Sequence, residues 1–142
     1  MLTSARNQFV GQITAIREGA VNDEIDIALA GGDQLVAVIT RESTRSLGLA
    51  TGGEAIALVK APWVILANPS SGVKLSTRNR LEGTVSAINH GAVNTEVHIA
   101  LKGGDALTAI VTQESARELG LVEGGPVVAF FKASHVIVGV RG

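Results

Sequence analysis

The stretch Thr40-Arg41-Glu42-Ser43-Thr44-Arg45-Ser46-Leu47-Gly48-Leu49 returns 72 positions later as Thr112-Gln113-Glu114-Ser115-Ala116-Arg117-Glu118-Leu119-Gly120-Leu121. Each copy carries the marks of one short helix. A threonine can cap its start, a glutamate sits in the first turn and an arginine in the last, and a glycine can close it in the left-handed conformation. Around this helix the apolar spacing changes to a period of two, so that residues 9–16, 24–29, 35–39, 55–59 and 64–66 read as short strands. Turn residues separate them: Gly19 with Asn22, and Gly31-Gly32 with Asp33, matched by Gly91 with Asn94 and Gly103-Gly104 with Asp105. Five strands with a helix between the third and fourth is the element order of an OB-type barrel, a closed antiparallel architecture, with a small sandwich as the alternative.

The repeat extends well beyond the helix. Laid on itself with a shift of 72, the chain aligns without gaps from Ser4 against Ser76 to Ala67 against Gly139, and 33 of the 64 pairs are identical. Two copies of a compact module follow. The first domain is expected over 1–68 and the second over 75–142, with residues 69–74 as linker, because Asn68-Pro69-Ser70-Ser71-Gly72 gathers turn residues between periodic segments. The expected fold class is all-β: two tandem five-stranded OB-type barrels, each with one short helix.

Composition removes several function classes. Twelve Lys and Arg against thirteen Asp and Glu leave a net charge of −1, without the long-range attraction of a nucleic-acid or anionic-membrane binder. One Trp, three Phe and no Tyr are too few for a base-stacking platform. With no Cys, disulfides, thiolate metal sites and cysteine nucleophiles are excluded. The start of the chain lacks the pattern of a leader, and the apolar run over 55–67 is interrupted by Lys60 and Pro62, so a soluble, cytoplasmic protein with no membrane partner is expected. A hydrophobic content of 46% is high for two domains of this size and points to extensive burial against neighbours.

The repeat also sorts candidate functional residues. Most identical positions are Gly, Ala, Leu, Ile or Val, explained by turns and core. The polar remainder, Ser4, Arg6, Asn7, Asn22, Glu24, Asp33, Thr40, Glu42, Ser43, Arg45 and Lys60 with their partners 72 residues on, is dominated by hydrogen-bond donors. Thr40 and Ser43 stand at a helix start, where unpaired N–H groups favour an anion; the plainer reading is a cap and its neighbour. Lys60 ends an apolar strand, the usual place of a solvated edge lysine. Arg6 with Ser4 and Asn7 precedes the first strand, where a surface turn is the ordinary expectation. Retained together in both copies, they suggest a small dianion held by hydroxyls, amides and two cations. The histidines His90, His98 and His135 face Glu18, Asp26 and Trp63 in the other copy, which argues against a repeated metal site. No nucleophile elbow, phosphate loop or spaced pair of carboxylates is present, and no enzyme activity is expected.

At these residues the chain resembles a known family. Ser4-Ala5-Arg6-Asn7-Gln8, Gly19-Ala20-Val21-Asn22, residues 40–49 and Lys60-Ala61-Pro62-Trp63, with Ser76-Thr77-Arg78-Asn79, Gly91-Ala92-Val93-Asn94 and Lys132-Ala133-Ser134, closely resemble the molybdate-binding Mop domain. The tandem arrangement is similar to that of the two-domain molbindins. The same module occurs in a molybdate-responsive regulator and in transporter ATPase subunits, but neither a helix-turn-helix nor a nucleotide-binding domain is read here, so DNA regulation and transport do not carry over.

The resemblance implies reversible binding of molybdate, and of tungstate, for intracellular storage or homeostasis, with no catalytic cofactor. It also implies self-association as a homotrimer, with small oxyanions bound between subunits. Carried onto this chain, one main site takes Ser4, Ala5 and Arg6 from one side with Thr40, Ser43, Lys60 and Ala61 from the other. Its counterpart takes Ser76, Thr77 and Arg78 with Thr112, Ser115, Lys132, Ala133 and Ser134. Arg6 is expected to meet Lys60, and Arg78 Lys132, across subunit boundaries. Sites of a second type fall at Gly19, Ala20, Val21 and Asn22 and at Gly91, Ala92, Val93 and Asn94. Thr77 departs from the usual alanine, and Ser134-His135 stands where the first copy has Pro62-Trp63. The rival expectation is an OB-type nucleic-acid or protein-interaction module without oxyanion specificity.

Overall fold

The computed structural model describes residues 2–142. In the first half, the strands β1 (Asn7–Arg17), β2 (Asn22–Leu29) and β3 (Gln34–Thr40) lead into α1 (Arg41–Ser46), then β4 (Glu54–Val59) and β5 (Ile65–Ala67). The second half repeats the order as β6 (Asn79–His90), β7 (Asn94–Leu101), β8 (Ala106–Thr112), α2 (Gln113–Glu118), β9 (Pro126–Phe131) and β10 (Ile137–Gly139). Burial alternates along the strands, as in Asn22–Leu29, where Asp23, Ile25, Ile27 and Leu29 point inward. The helices are capped as their sequence demands. The Thr40 and Thr112 hydroxyls accept the N–H groups of Ser43 and Ser115 at 3.1 Å in each case. Gly48 (φ 64°) and Gly120 (φ 63°) close the helices in the left-handed region that a side chain disfavours.

Sheet membership does not follow the repeat. One sheet has the order β10-β4-β1-β2-β3 and the other β5-β9-β6-β7-β8. Each therefore takes its fifth strand from the opposite half: Ile137 pairs with Leu58, and Ile65 with Phe130. β10 also packs against β3, and β5 against β8, so each sheet curls round on itself into an OB-like barrel. A short 3₁₀ turn at Ala61–Trp63 precedes β5 and lies on β8; its counterpart at Ala133–His135 precedes β10 and lies on β3.

The exchange is locked at several points. Asn7 is buried and pairs with the β8 backbone like a strand residue, donating to the Thr108 carbonyl at 2.8 Å and accepting its N–H at 2.7 Å. Asn79 does the same to Val36 on β3, at 2.8 Å both ways. The Asn68 amide donates to the Leu119 carbonyl at 3.0 Å, so the chain is docked on the second half before the connecting segment begins. The β2–β3 and β7–β8 turns meet back to back, and a Cβ on Gly31 would fall on the Gly103 carbonyl. One apolar core results, running from Phe9, Ile13 and Leu35 through Val64 to Leu107, Val127 and Val138. Much of the high apolar content is thus buried by one half against the other within a single chain.

Candidate functional site

The pairing of β1 with β4 decides where the cations stand. Asn7 lies opposite Val59, so Arg6 and Lys60, one residue further out on each strand, leave the sheet side by side. Asn79 opposite Phe131 does the same for Arg78 and Lys132. Register thus sets each arginine beside its lysine at one sheet edge of the same chain. Lys60 and Lys132 are exposed, while the alanines that follow, Ala61 and Ala133, are buried at 1% and 5% exposure and anchor the 3₁₀ turns.

The hydroxyl donors come from the other half. The 3₁₀ turn after Lys60 lies on β8, whose last residue is Thr112. Pro62, Thr112 and Ser115 line one open concavity of ≈ 650 Å³. Likewise the turn of Lys132, Ala133 and Ser134 lies on β3, which ends in Thr40 at the cap of Ser43. Within one chain, the turn that follows Lys60 lies nearest the end of β8 at Thr112, and the turn that follows Lys132 nearest the end of β3 at Thr40. The exchanged fifth strands explain this, because the segment from Lys60 to β5 crosses into the other half.

Each arginine is held by a glutamate of the other half. Arg78 grips Glu24 through both nitrogens, at 3.0 and 2.7 Å, and Arg6 reaches Glu96 at 2.7 Å. The hydrogen bond from Arg6, assisted by its charge and by His98, draws the Glu96 carboxyl down from 4.5 to about 2 against the opposing effect of burial. The same contacts raise both arginines above their ordinary value. A dianion arriving at either arginine must compete with a carboxylate already in place.

The smaller groups differ between halves. Ser4 is exposed beside half-buried Ala5, whose N–H donates to Thr3 Oγ1 at 3.1 Å, and the Gln8 side chain holds the N–H groups of Leu2 and Thr3 at 2.9 Å. Ser76 is exposed, and the Thr77 hydroxyl is enclosed without a partner where the first half has only the Ala5 methyl. Trp63 and His135, which occupy equivalent positions in the two copies, face each other at 5.0 Å, with the Lys60 ammonium 5.7 Å above the indole.

The second candidate class lies at the β1–β2 and β6–β7 turns. Val21 and Val93 each stand out at 72% exposure, and Ala20, Asn22, Ala92 and Asn94 are exposed beside them. Two N–H groups are used internally: that of Gly19 donates to Asp23 Oδ1 at 3.2 Å and that of Gly91 to the Asn94 carbonyl at 2.9 Å. The turns are fastened to the helix starts, with Arg41 N–H on the Val21 carbonyl at 2.8 Å and Gln113 N–H on that of Val93 at 2.9 Å. Among the described residues no cluster of three or more His, Cys, Asp or Glu could hold a metal ion, and no helix is long and apolar enough to cross a membrane.

Asn7 and Asn79 appear among the repeated polar residues, but their bonding to β8 and β3 has no local signal. Glu96 and Glu24 are repeated too, and their role becomes visible only once the opposite half is in place.

Comparison with known proteins places this architecture. The TOBE domain matches twice, over residues 3–66 and 75–138. The molybdenum transport protein ModE of Azotobacter vinelandii is 46% identical over 142 residues, covering 100% of this chain and 52% of ModE. The molybdenum-pterin-binding protein MopA of Rhodobacter capsulatus is 46% identical over 138 residues, covering 97% of this chain and 52% of MopA. The chain thus spans about half the length of these curated relatives. A crystal structure of the cytoplasmic molybdate-binding protein ModG, with molybdate bound, superposes with a TM-score of 0.95 at 57% identity, over 99% of this chain and 100% of ModG. The chain belongs to the TOBE-domain family, carrying the domain twice and built over its whole length like ModG.

Proposed function

We propose that this chain binds molybdate, and tungstate with it, reversibly in the cytoplasm as a store or buffer of the oxyanion. The observation that carries the reading is 57% identity over essentially the whole chain to ModG with molybdate bound, joined to a donor set present twice. Each set has an Arg and a Lys leaving adjacent strands, a threonine and serine at a helix start, and a buried alanine that brings backbone close. Two cations against a dianion leave no net charge to desolvate, and neutral hydroxyls supply the remaining hydrogen bonds. Both sets consist of cations and hydrogen-bond donors, which suits binding of an anion.

Sites completed between copies of the chain, in a homotrimer, fit the exposure of Ser4, Ser76, Lys60 and Lys132 and the outward Val21 and Val93. Sulfate carries the same charge and shape, so selection for the larger anion falls to cavity size. Titration calorimetry with molybdate, tungstate, sulfate and phosphate on one sample tests the reading: molybdate and tungstate should bind well ahead of the other two. Equal affinity for sulfate, or no heat with molybdate, overturns it. Replacing Lys60 and Lys132 together by Ala should weaken molybdate binding by at least about tenfold with an unchanged melting curve, as expected for loss of a charged hydrogen bond at each site.

A further inference from the structure

One oxygen of Glu96 serves two donors. Oε1 accepts Arg6 Nη2 at 2.7 Å and His98 Nε2 at 2.6 Å. The other imidazole nitrogen, Nδ1, is 3.2 Å from the Thr108 hydroxyl, whose backbone is clasped by Asn7. In the first half the equivalent acid, Glu24, is shared by Arg78 and Arg17, the latter 3.4 Å from Glu24 and 2.8 Å from Asp26. The two halves thus place different competitors beside the site arginine: a guanidinium that is always charged, and an imidazole that can exist in either charge state.

The charged groups reaching His98 are few. Its own strand β7 supplies Glu96, and the segment before β1 supplies Arg6. Neighbouring β6 brings Asn89, 3.4 Å from Nε2, and Ser86, whose hydroxyl donates to the His98 carbonyl at 3.1 Å; β8 brings Thr108. His90 on β6 pairs with Thr95 rather than with His98. Neutral His98 gives Glu96 one N–H and takes the Thr108 proton at Nδ1. Protonated, it turns the Thr108 hydrogen bond round and sets a full positive charge against the oxygen that Arg6 uses. Nothing need move for the competition to change.

We propose that His98 is a positioning residue governing how readily Arg6 leaves Glu96 for an oxyanion, so that the site built on Arg6 tightens as pH falls through the imidazole range while the site built on Arg78 does not. This rests on the reading that both arginines bind the anion. By linkage, oxyanion binding at Arg6 raises the affinity of His98 for its proton by the same factor.

The test has an arm with no oxyanion. Followed by NMR in the full chain, the His98 imidazole should titrate about one unit higher in Arg6→Gln than in the parent, because Glu96 is left to it alone. An unchanged value overturns the coupling. With molybdate, calorimetry on Arg78→Ala should show about fivefold tighter binding at pH 5.8 than at pH 7.8, a modest coupling between sites. Adding His98→Gln should abolish that difference while binding persists, and Arg6→Ala should show no difference. The same pH slope with and without His98 overturns the proposal and leaves oxyanion binding standing. An NMR shift as expected, with no molybdate heat from either single-arginine chain, removes the oxyanion reading and the proposal with it, while the Arg6–His98 contact survives as structure only.

Discussion

Arg78 and Arg6 occupy equivalent places in the two halves, and each is paired with the equivalent glutamate of the other half. Around Arg78 the environment is a fixed network of Glu24, Arg17 and Asp26; around Arg6 it is Glu96, Asn89 and His98. The residues that build the contact are identical in both copies. The residues that tune it are not. Duplication keeps the parts that both halves need in order to fold together and frees the positions one step behind them. A similar division holds at the turns, where Asp23 and Arg41 in one half stand against Thr95 and Gln113 in the other.

The sharpest way to break this picture is at the contact between halves. Gly31→Ala should destabilise the chain by about 3 kcal/mol, the upper range for overpacking, because its Cβ has the Gly103 backbone in its way. Gly103→Ala meets the end of the Asp33 side chain and, at 2.8 Å, the Gly31 carbonyl oxygen, and should cost about 2 kcal/mol, so the Gly31 variant should melt at lower denaturant. Next come Asn7→Leu and Asn79→Leu, each of which strands a β-strand N–H and carbonyl, at about 2 kcal/mol apiece. Nearly equal costs in thermal melts would confirm the two clasps as equivalent, and a difference beyond about 1 kcal/mol would break the equivalence. Thr40→Ala and Thr112→Ala remove matched helix caps and should each cost about 1 kcal/mol in the same assay.

The smallest effect should separate the halves by pH. Glu96 titrates lower in the folded chain, about 2 against 4.5, so its contribution is fully present above 4.5 and is lost as pH falls toward 2. The pair is partly exposed and is worth under about 1 kcal/mol. Glu96→Gln should therefore lower stability near pH 7 by up to about 1 kcal/mol and converge on the parent toward pH 2, flattening the acid limb between those pH values. A curve identical to the parent's would remove the pair from the account.

The strands, helices and caps were legible because their causes are local: alternation by two, Thr-x-x-Ser at a helix start, and glycine where φ is positive. The repeat also singled out Arg6, Lys60, Thr40 and Ser43 as donors retained in both copies. What was hidden depends on residues far apart in sequence. The partner of Asn7 is 101 positions away, and the connection between halves is long enough to permit either a closed barrel or an exchanged one. Local pattern is the same in both cases, so β5 could be recognised as a strand but not assigned a sheet. The placement of the turn after Lys60 on β8 of the same chain follows from that one ambiguity.

The exchange has a consequence for what a single half can be. Made alone, residues 1–68 would keep β5 with no strand to pair with, and β4 with an uncovered edge where β10 belongs. A bare edge invites another chain, and here a second copy of the same half offers the missing strand in the right register. The full chain has the arrangement such a twofold dimer would have with its two members covalently joined. Fusion is what allows its two members to drift apart: two copies of one gene product must be identical, whereas Asp26 and His98 need not be.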